Sequence, residues 1–492
     1  MGSSKWYFLA AMILMANLLF RMYDESALMG EFPLDNVNDI SSNIAQLYFL
    51  DVCGYNKQCD YWYNGFITFK QTQPLWYIAA YPAYLAFQGD ALKATYMMLV
   101  LTYIAALILF FYFGGKEKFT RTECLLFFLI FLGNAIAIGN FIRLGRPHEL
   151  LAWILFIPFA FIALQYKDKK IDKNALLLSL LYFLIILAHQ TVAILSGFLF
   201  LSLFLVQKTR NKIKVALLFL LALAAASFWL VPFLLGFINS GSTEHILTIT
   251  LFSFDREYIW QTFASFIVPL ILVSLFYFYY LSREKSRNEL LFFLPIIFLA
   301  ALLFSRIVFY VPVLKFVYPD PYMAFFIFFG GYLFFKTPKK SYGGLIQKVI
   351  PALVVGIAVA SVLINIIHTP LFKHHDGVDK ATIEMLENVD GRFIVFSHPG
   401  ITAYSKAVYS YAPVMLDLKT AQGWYPHVKE REYTDFLMNT YKRFEARDCG
   451  VVDDLGKLNV SEVISYDNGC GFFAGCGLKE KAKKGVACLY KV

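Results

Sequence analysis

Long apolar stretches alternate with short polar loops along most of this chain. A membrane span needs roughly twenty mostly apolar residues. Eleven segments meet that pattern, near 5–22, 91–114, 124–140, 148–166, 174–189, 190–206, 215–238, 259–282, 290–305, 316–335 and 349–367. The first, Trp6 to Phe20 after Lys5, has no convincing small-x-small cleavage site and reads as a retained anchor. Pro74 to Phe87 is short and proline-interrupted, and reads as an interfacial or re-entrant helix. Residues 174–206 form one unbroken apolar run, which a tight hairpin at His189-Gln190 divides in two. From about Asp376 the pattern becomes that of a soluble domain. It has a helical stretch at 377–389, a strand-like RFIVFS at 392–397, and a longer helical stretch near 427–445. Apolar runs follow at Val414–Leu416, Glu462–Ser465 and Val486–Tyr490. The expected fold is therefore an α-helical polytopic membrane domain, 1–370, with an external loop at 23–73, followed by a small extracytoplasmic α/β domain, 371–492.

Composition agrees. Of 492 residues 59% are hydrophobic and 16% charged, too few polar groups to cover a soluble surface. Eighteen Lys and Arg fall in the loops on one side of the predicted bundle and seven on the other. By the positive-inside rule the basic loops and the N-terminus are cytoplasmic. Reading 174–206 as a single helix would put Lys208 to Lys214 outside, against that rule. The net charge of +9 resides in these loops, since the chain from His368 onward has 16 basic and 16 acidic residues. It sets topology and meets membrane lipid; no nucleic-acid partner is implied.

The loop 23–73 is acidic, with Asp24, Glu25, Glu31, Asp35, Asp39, Asp51 and Asp60 against Lys57 and Lys70. Cys53, Cys59, Cys449, Cys470, Cys476 and Cys488 all fall outside, an even number that suggests up to three disulfides. Cys53–Cys59 is the local pair, and connectivity among the other four is not legible. No paired C-x₂-C spacing supports zinc. Asn459-Val460-Ser461 is a glycosylation triplet of a kind that chance also produces.

Polar residues collect on the outer side: Asp35 and Asp39; Arg143, Arg146, His148 and Glu149; His189; His245, Asp255, Arg256 and Glu257; Arg306; Asp320. Ionisable groups beside spans are costly to hold and mark functional sites. Carboxylate plus clustered arginine is the equipment for a phosphorylated substrate. Asp39 precedes Ile40, Ile44, Leu47 and Leu50 at helical spacing, and a helix N-cap explains it as well; Asp35 has a similar explanation as a turn residue after Pro33. Arg143 and Arg146 lie in a short loop turned by Gly145 and Pro147, on the side where anchoring arginines are disfavoured. His189 also fits a hydrogen-bonded interface residue, Arg306 an interface marker, and Asp255-Arg256-Glu257 a locally paired run. Trp424 and Tyr425 suit stacking on a sugar ring, as they suit a turn with packed aromatics.

With these residues in view, the layout resembles the GT-C superfamily of polyprenyl-phosphate-dependent glycosyltransferases. NDISSNIAQLYFL and QPLWYIAAYPAYLAF are similar to its first-loop acid and the re-entrant segment after it. GRPHELLAWILFIPFAFIAL and LAHQTVAILSGFLFL resemble spans of its prokaryotic members, some labelled 6-pyruvoyl-tetrahydropterin synthase-related. GRFIVF, QGWYP, VSEVISY and VACLYKV resemble the soluble domain that follows. The resemblance implies that Asp39 is a general base or part of a metal site, with Arg143, Arg146 and His148 near the donor phosphate. The superfamily's paired-acid motif is not kept: Val37 stands where its second acid belongs, and Asp35 lies four residues before Asp39. A bound divalent metal is accordingly not supported by that motif.

The expected function is transfer of a sugar from a polyprenyl-phosphate donor to a glycan, lipid or protein acceptor on the extracytoplasmic face. Asp39 and Asp35 are the catalytic candidates; Arg143, Arg146, His148, His189, Arg306, Trp424 and Tyr425 are the substrate-binding candidates. A transporter or flippase of lipid-linked substrates would want charges near the midplane and an internal repeat, and neither is evident. A catalytically silent assembly protein is the third reading.

Overall fold

The structure is a computed structural model that describes residues 2–35, 39–240, 259–342, 344–398 and 407–492. Each predicted span holds helix: Gly2–Glu25, Ala91–Lys116, Arg121–Leu132 continuing as Ala135–Arg143, Pro147–Tyr166, Leu176–Ala188, Gln190–Val206, Thr209–Ser240, Ile259–Ser282, Arg287–Phe304, Pro319–Lys336 and Gly344–His368. Seven of the described helices are long and apolar enough to cross a membrane, and the pair bent by 49° at residues 133–134 makes an eighth if it is one span. Eleven crossings remain our proposal beyond that number. The run 174–206 breaks at His189, whose extended backbone (φ −162°) separates two helices.

The chain forms two compact units that cut across a division at residue 370. One comprises Met1–Asp24, Leu99–Leu230 and Thr243–Leu371; the other comprises Glu25–Met98, Val231–Ser242 and Phe372–Val492.

The first unit is the helical bundle. Across its most apolar window the helix Pro147–Tyr166 is 72% buried, against 17% for Val349–His368, so the former runs inside the bundle and the latter along its outside. Phenylalanine fills the interior: Phe156 lies 5.1 Å from Phe328 and 5.6 Å from Phe325 between ring centroids, and Phe127 lies 5.4 Å from Phe328. A Cβ on Gly331 would sit 2.5 Å from the Phe127 ring, so this helix contact requires glycine. Buried Arg21 of the first helix closes the end of the last one. Its Nε donates to Asn365 Oδ1 (2.7 Å), and its guanidinium donates to the carbonyls of Asn365 (2.9 Å) and Thr369 (2.7 Å). The Asn365 carbonyl also accepts from the Thr369 amide (3.0 Å), so Arg21 adds side-chain donors at the helix end, where carbonyls run short of backbone partners.

The second unit joins the acidic loop to the C-terminal segment. A four-stranded sheet runs in the order β3 (Phe393–Phe396), β4 (Glu462–Tyr466), β6 (Ala487–Lys491), β5 (Lys479–Lys484). The β3–β4 pair is parallel and the other two are antiparallel. The first three strands are buried, while β5 is a lysine-rich exposed edge that hydrophobic patterning does not reveal; lysine there discourages pairing with other chains. Val414–Leu416 ends a helix, Ala407–Leu416, rather than forming a strand. The helix is buried on all sides from Ala407 to Pro413, so its apolar run carries no period that separates helix from strand.

The loop contributes β1 (Gln58–Cys59) and β2 (Phe66–Ile67), a short hairpin. Between them Trp62 and Tyr63 are fully buried. Trp62 Nε1 donates to the Tyr409 carbonyl (2.7 Å), Tyr63 Oη to that of Gly423 (2.8 Å) and Asn64 Nδ2 to that of Leu458 (2.6 Å). A Cβ on Gly423 would approach Trp62 and Tyr63 to within 2.7 Å, so the glycine of QGWYP admits the loop. Disulfides join Cys53–Cys59, as the spacing predicts, and also Cys449–Cys476 and Cys470–Cys488.

Candidate active site

Each unit gathers part of the candidate chemistry. In the second unit Asp39 opens the helix Ile40–Val52 in helical conformation, and its side chain makes no capping bond. The N-cap explanation therefore does not account for its carboxylate. Its carbonyl instead accepts from Ser42 Oγ (2.7 Å) and Asn43 Nδ2 (3.0 Å). These two side chains also reach other segments: Tyr77 Oη donates to Asn43 Oδ1 (2.6 Å), and Ser42 Oγ lies 2.9 Å from Tyr425 Oη. Burial raises the Tyr77 hydroxyl well above its ordinary pKa, with Tyr425 and the Asp39 charge adding to the effect. Tyr425 of QGWYP thus stands against the first turn of the Asp39 helix, beside His427 at 5.3 Å between rings. Burial pushes the His427 imidazole down to about 4, against a backbone bond at Gln71 that favours the charged form. Trp424 is buried. Asp35 acts on Lys373, which pairs with Asp376 (3.1 Å) and Asp379 (3.7 Å).

In the first unit the polar residues converge at one end of the bundle. After Ala135–Ala137 the helix widens into a π-helical turn, Ile138–Arg143, a feature that recurs at functional sites. The turn carries Asn140 and buried Arg143. Gly145, at φ +66°, then reverses the chain, and Pro147 starts the next helix. Arg146 at this junction sits 3.8 Å from buried Glu149 and 5.7 Å from the Tyr318 ring. Glu149 also accepts from Trp153 Nε1 (3.2 Å). Asp320 is hydrogen-bonded to Asn140 and lies within reach of the Arg146 charge. The His148 and His189 rings are 5.1 Å apart, and His189 Nδ1 is 2.8 Å from Thr191 Oγ1. Among the described residues His148 Nδ1 is buried with no hydrogen-bond partner.

Arg143, Arg146, His148 and His189 thus belong to one neighbourhood, with Glu149 and Asp320 among them. Two arginines supply fixed positive charge, and the acids and Trp153 fix the guanidinium of Arg146. Such a site suits an anionic group with directional oxygens. Arg306, in a left-handed turn, stacks 3.8 Å from the Phe266 ring centroid and donates to the Leu303 carbonyl (3.1 Å). Sequence reasoning passed over Asn140 and Tyr318. Their signal was slight: one amide within an apolar run, and one aromatic among many. His245, Asp255, Arg256, Glu257 and Val37 lie outside the described residues. Among the described residues no three His, Cys, Asp or Glu side chains converge on a metal position, and no step below is routed through a metal.

The chain matches, over residues 74–368, the family described as "6-pyruvoyl-tetrahydropterin synthase related domain; membrane protein". No curated protein matches it in sequence. Solved structures with the same fold are GT-C glycosyltransferases. ArnT from Cupriavidus metallidurans, in the apo state, aligns with TM-score 0.57 at 10% identity, over 98% of this chain and 97% of its own. Arabinofuranosyltransferase AftD from Mycobacteria aligns with TM-score 0.57 at 13% identity, over 99% of this chain and 40% of its own. The archaeal oligosaccharyltransferase AglB from Archaeoglobus fulgidus, solved with an inhibitory peptide and a dolichol-phosphate, aligns with TM-score 0.56 at 10% identity, over 92% and 69%. At these identities the likeness establishes the fold.

Proposed function

The chain belongs to the 6-pyruvoyl-tetrahydropterin synthase related family of membrane proteins, and from that premise and its fold we propose that it is a membrane glycosyltransferase using a polyprenyl-phosphate-linked sugar donor. The observation that carries this reading is the GT-C fold, which covers nearly the whole of this chain and of ArnT. The dolichol-phosphate bound to AglB gives the class of lipid carrier. Asp39 and Asp35 are the proposed catalytic acids, and Arg143, Arg146, His148, His189, Arg306, Trp424 and Tyr425 the proposed substrate contacts.

In the proposed reaction Asp39 accepts the proton of an acceptor hydroxyl as its oxygen bonds to the anomeric carbon. The bond from that carbon to the phosphate oxygen breaks, and the polyprenyl phosphate leaves with the electron pair. Arg143 and Arg146 offset the negative charge that develops on it. The basic-loop asymmetry and the three disulfides support an extracytoplasmic site, with the N-terminus cytoplasmic.

The purified protein, assayed against a panel of polyprenyl-phosphate sugars with and without divalent metal, is expected to transfer at least one sugar. Asp39→Asn should abolish transfer without changing expression or thermal unfolding. Full activity in that variant would remove Asp39 from its role, and an inactive wild type across the panel would favour a silent assembly protein.

A further inference from the structure

Four tyrosines and two carboxylates form a patch on the second unit that the proposed reaction does not use. Asp51, in the last turn of the helix Ile40–Val52, accepts from Tyr81 Oη (2.8 Å) and Tyr84 Oη (3.4 Å). Asp417, after the helix Ala407–Leu416, accepts from Tyr61 Oη and from Tyr48 Oη (3.4 Å). Tyr48 also feels the Asp51 charge and so links the two groups. Both carboxylates are exposed. The rings come in two pairs: Tyr81 and Tyr84 stack at 5.9 Å, and Tyr48 meets Tyr61 edge-on at 5.7 Å.

Each carboxylate is held by phenol hydroxyls, which occupy only part of its roughly four acceptor positions. Tyr48, Tyr61 and Tyr81 are half-buried and Tyr84 is buried. The partly open rings, beside carboxylates that no Lys or Arg pairs among the described residues, match a polyhydroxylated, uncharged ring compound. Its C–H face lies on the aromatic ring, and its adjacent hydroxyls donate to the carboxylate. The negative charge disfavours phosphate groups and anionic lipid. Asp39 stands at the other end of the same helix, about 18 Å away at 1.5 Å per residue, so this patch is separate from the proposed catalytic acid.

We propose that Tyr48, Tyr61 and Tyr81, with Asp51 and Asp417, form a binding platform for a neutral glycan, and that buried Tyr84 supports Tyr81 from within. The platform reads sugar hydroxyls and does not depend on the transferase reading, because it needs no donor to bind. Full-length protein in nanodiscs is titrated with maltotriose, mannotriose and chitotriose, and binding is followed by saturation-transfer NMR and calorimetry. The wild type is expected to bind at least one trisaccharide. The double variant Asp51→Asn/Asp417→Asn should weaken it about tenfold or more, as loss of charged hydrogen bonds implies, while Asp39→Asn leaves it unchanged. If the double variant does not fold, Tyr81→Ala tests the same patch and should weaken binding as well. Binding of none of the three sugars, or equal binding by the variants, overturns the proposal. So does quenching of a Tyr81→Cys fluorophore by lipid-borne nitroxide, which would place the patch in the bilayer.

Discussion

The helical bundle and the loop-bearing unit solve the problem of polar groups in opposite ways. In the bundle the interior is packed phenylalanine, and polar side chains are confined to a few places. One such place, with Asn140, Arg143, Arg146, His148 and Asp320, holds three of the proposed substrate contacts. In the second unit polar bonds are everywhere, and most of them are mortar: Trp62, Tyr63 and Asn64 each bind one backbone carbonyl and fix the loop in place. The same residue type therefore carries different information in the two units. A buried arginine in the bundle that, unlike Arg21, closes no helix end is a site candidate, whereas a buried tyrosine in the second unit is first a strut.

The sharpest way to break that contrast is Arg146→Lys. Lysine keeps the charge beside Glu149 and Asp320 but loses the planar fork. If the bundle cluster serves a leaving phosphate, transfer should fall by roughly 100-fold, the scale of one lost charge-stabilising group, with thermal unfolding unchanged. A variant that loses stability and keeps its rate would make the cluster a structural one.

Trp62→Ala addresses the other half of the comparison. Removing a fully buried tryptophan typically costs about 3–5 kcal/mol, and here the Tyr409 carbonyl also loses its donor. Limited proteolysis should cut the loop within 53–70 in the variant and spare it in the wild type. Equal protection would mean that Trp62 does not hold the loop.

What the sequence made legible follows the same line. The break at His189, the turn at Gly145-Pro147, the Cys53–Cys59 pair and the buried strands rest on local signals: charge sidedness, turn residues, short spacing and apolar runs. The grouping of residues 25–98 with 372–492 had no such signal. Its bonds join residues nearly 350 positions apart, and those that hold Trp62, Tyr63 and Asn64 end on backbone carbonyls that any residue supplies. The π-helical turn was equally hidden, because widening a helix by one residue leaves the apolar pattern intact. For the candidate site, residue types and sidedness were readable, but the partners that fix them, Trp153 on Glu149 and Asn140 on Asp320, were not.

The smallest expected effect concerns the second unit's own seam, where Glu31 meets the segment that follows the last bundle helix. His374 Nδ1 lies 2.6 Å from Glu31 Oε2, the His375 amide donates to Oε1, and His375 Nε2 lies 2.7 Å from the Phe32 carbonyl. Burial raises the Glu31 carboxyl, but the bonds from His374 and His375 outweigh it and bring the group below its ordinary 4.5. A carboxyl lowered on folding stabilises the folded state above pH 4.5, and that contribution is lost as pH falls through the lowered value. Because His374 is largely exposed, the contribution is about 1 kcal/mol or less. Thermal unfolding of Glu31→Gln should therefore lie slightly below the wild type at pH 6 and converge with it on acidification below 4.5. If the two curves stay apart to the lowest pH, the seam is held by packing, and polar bonding would not be what distinguishes this unit at its edge.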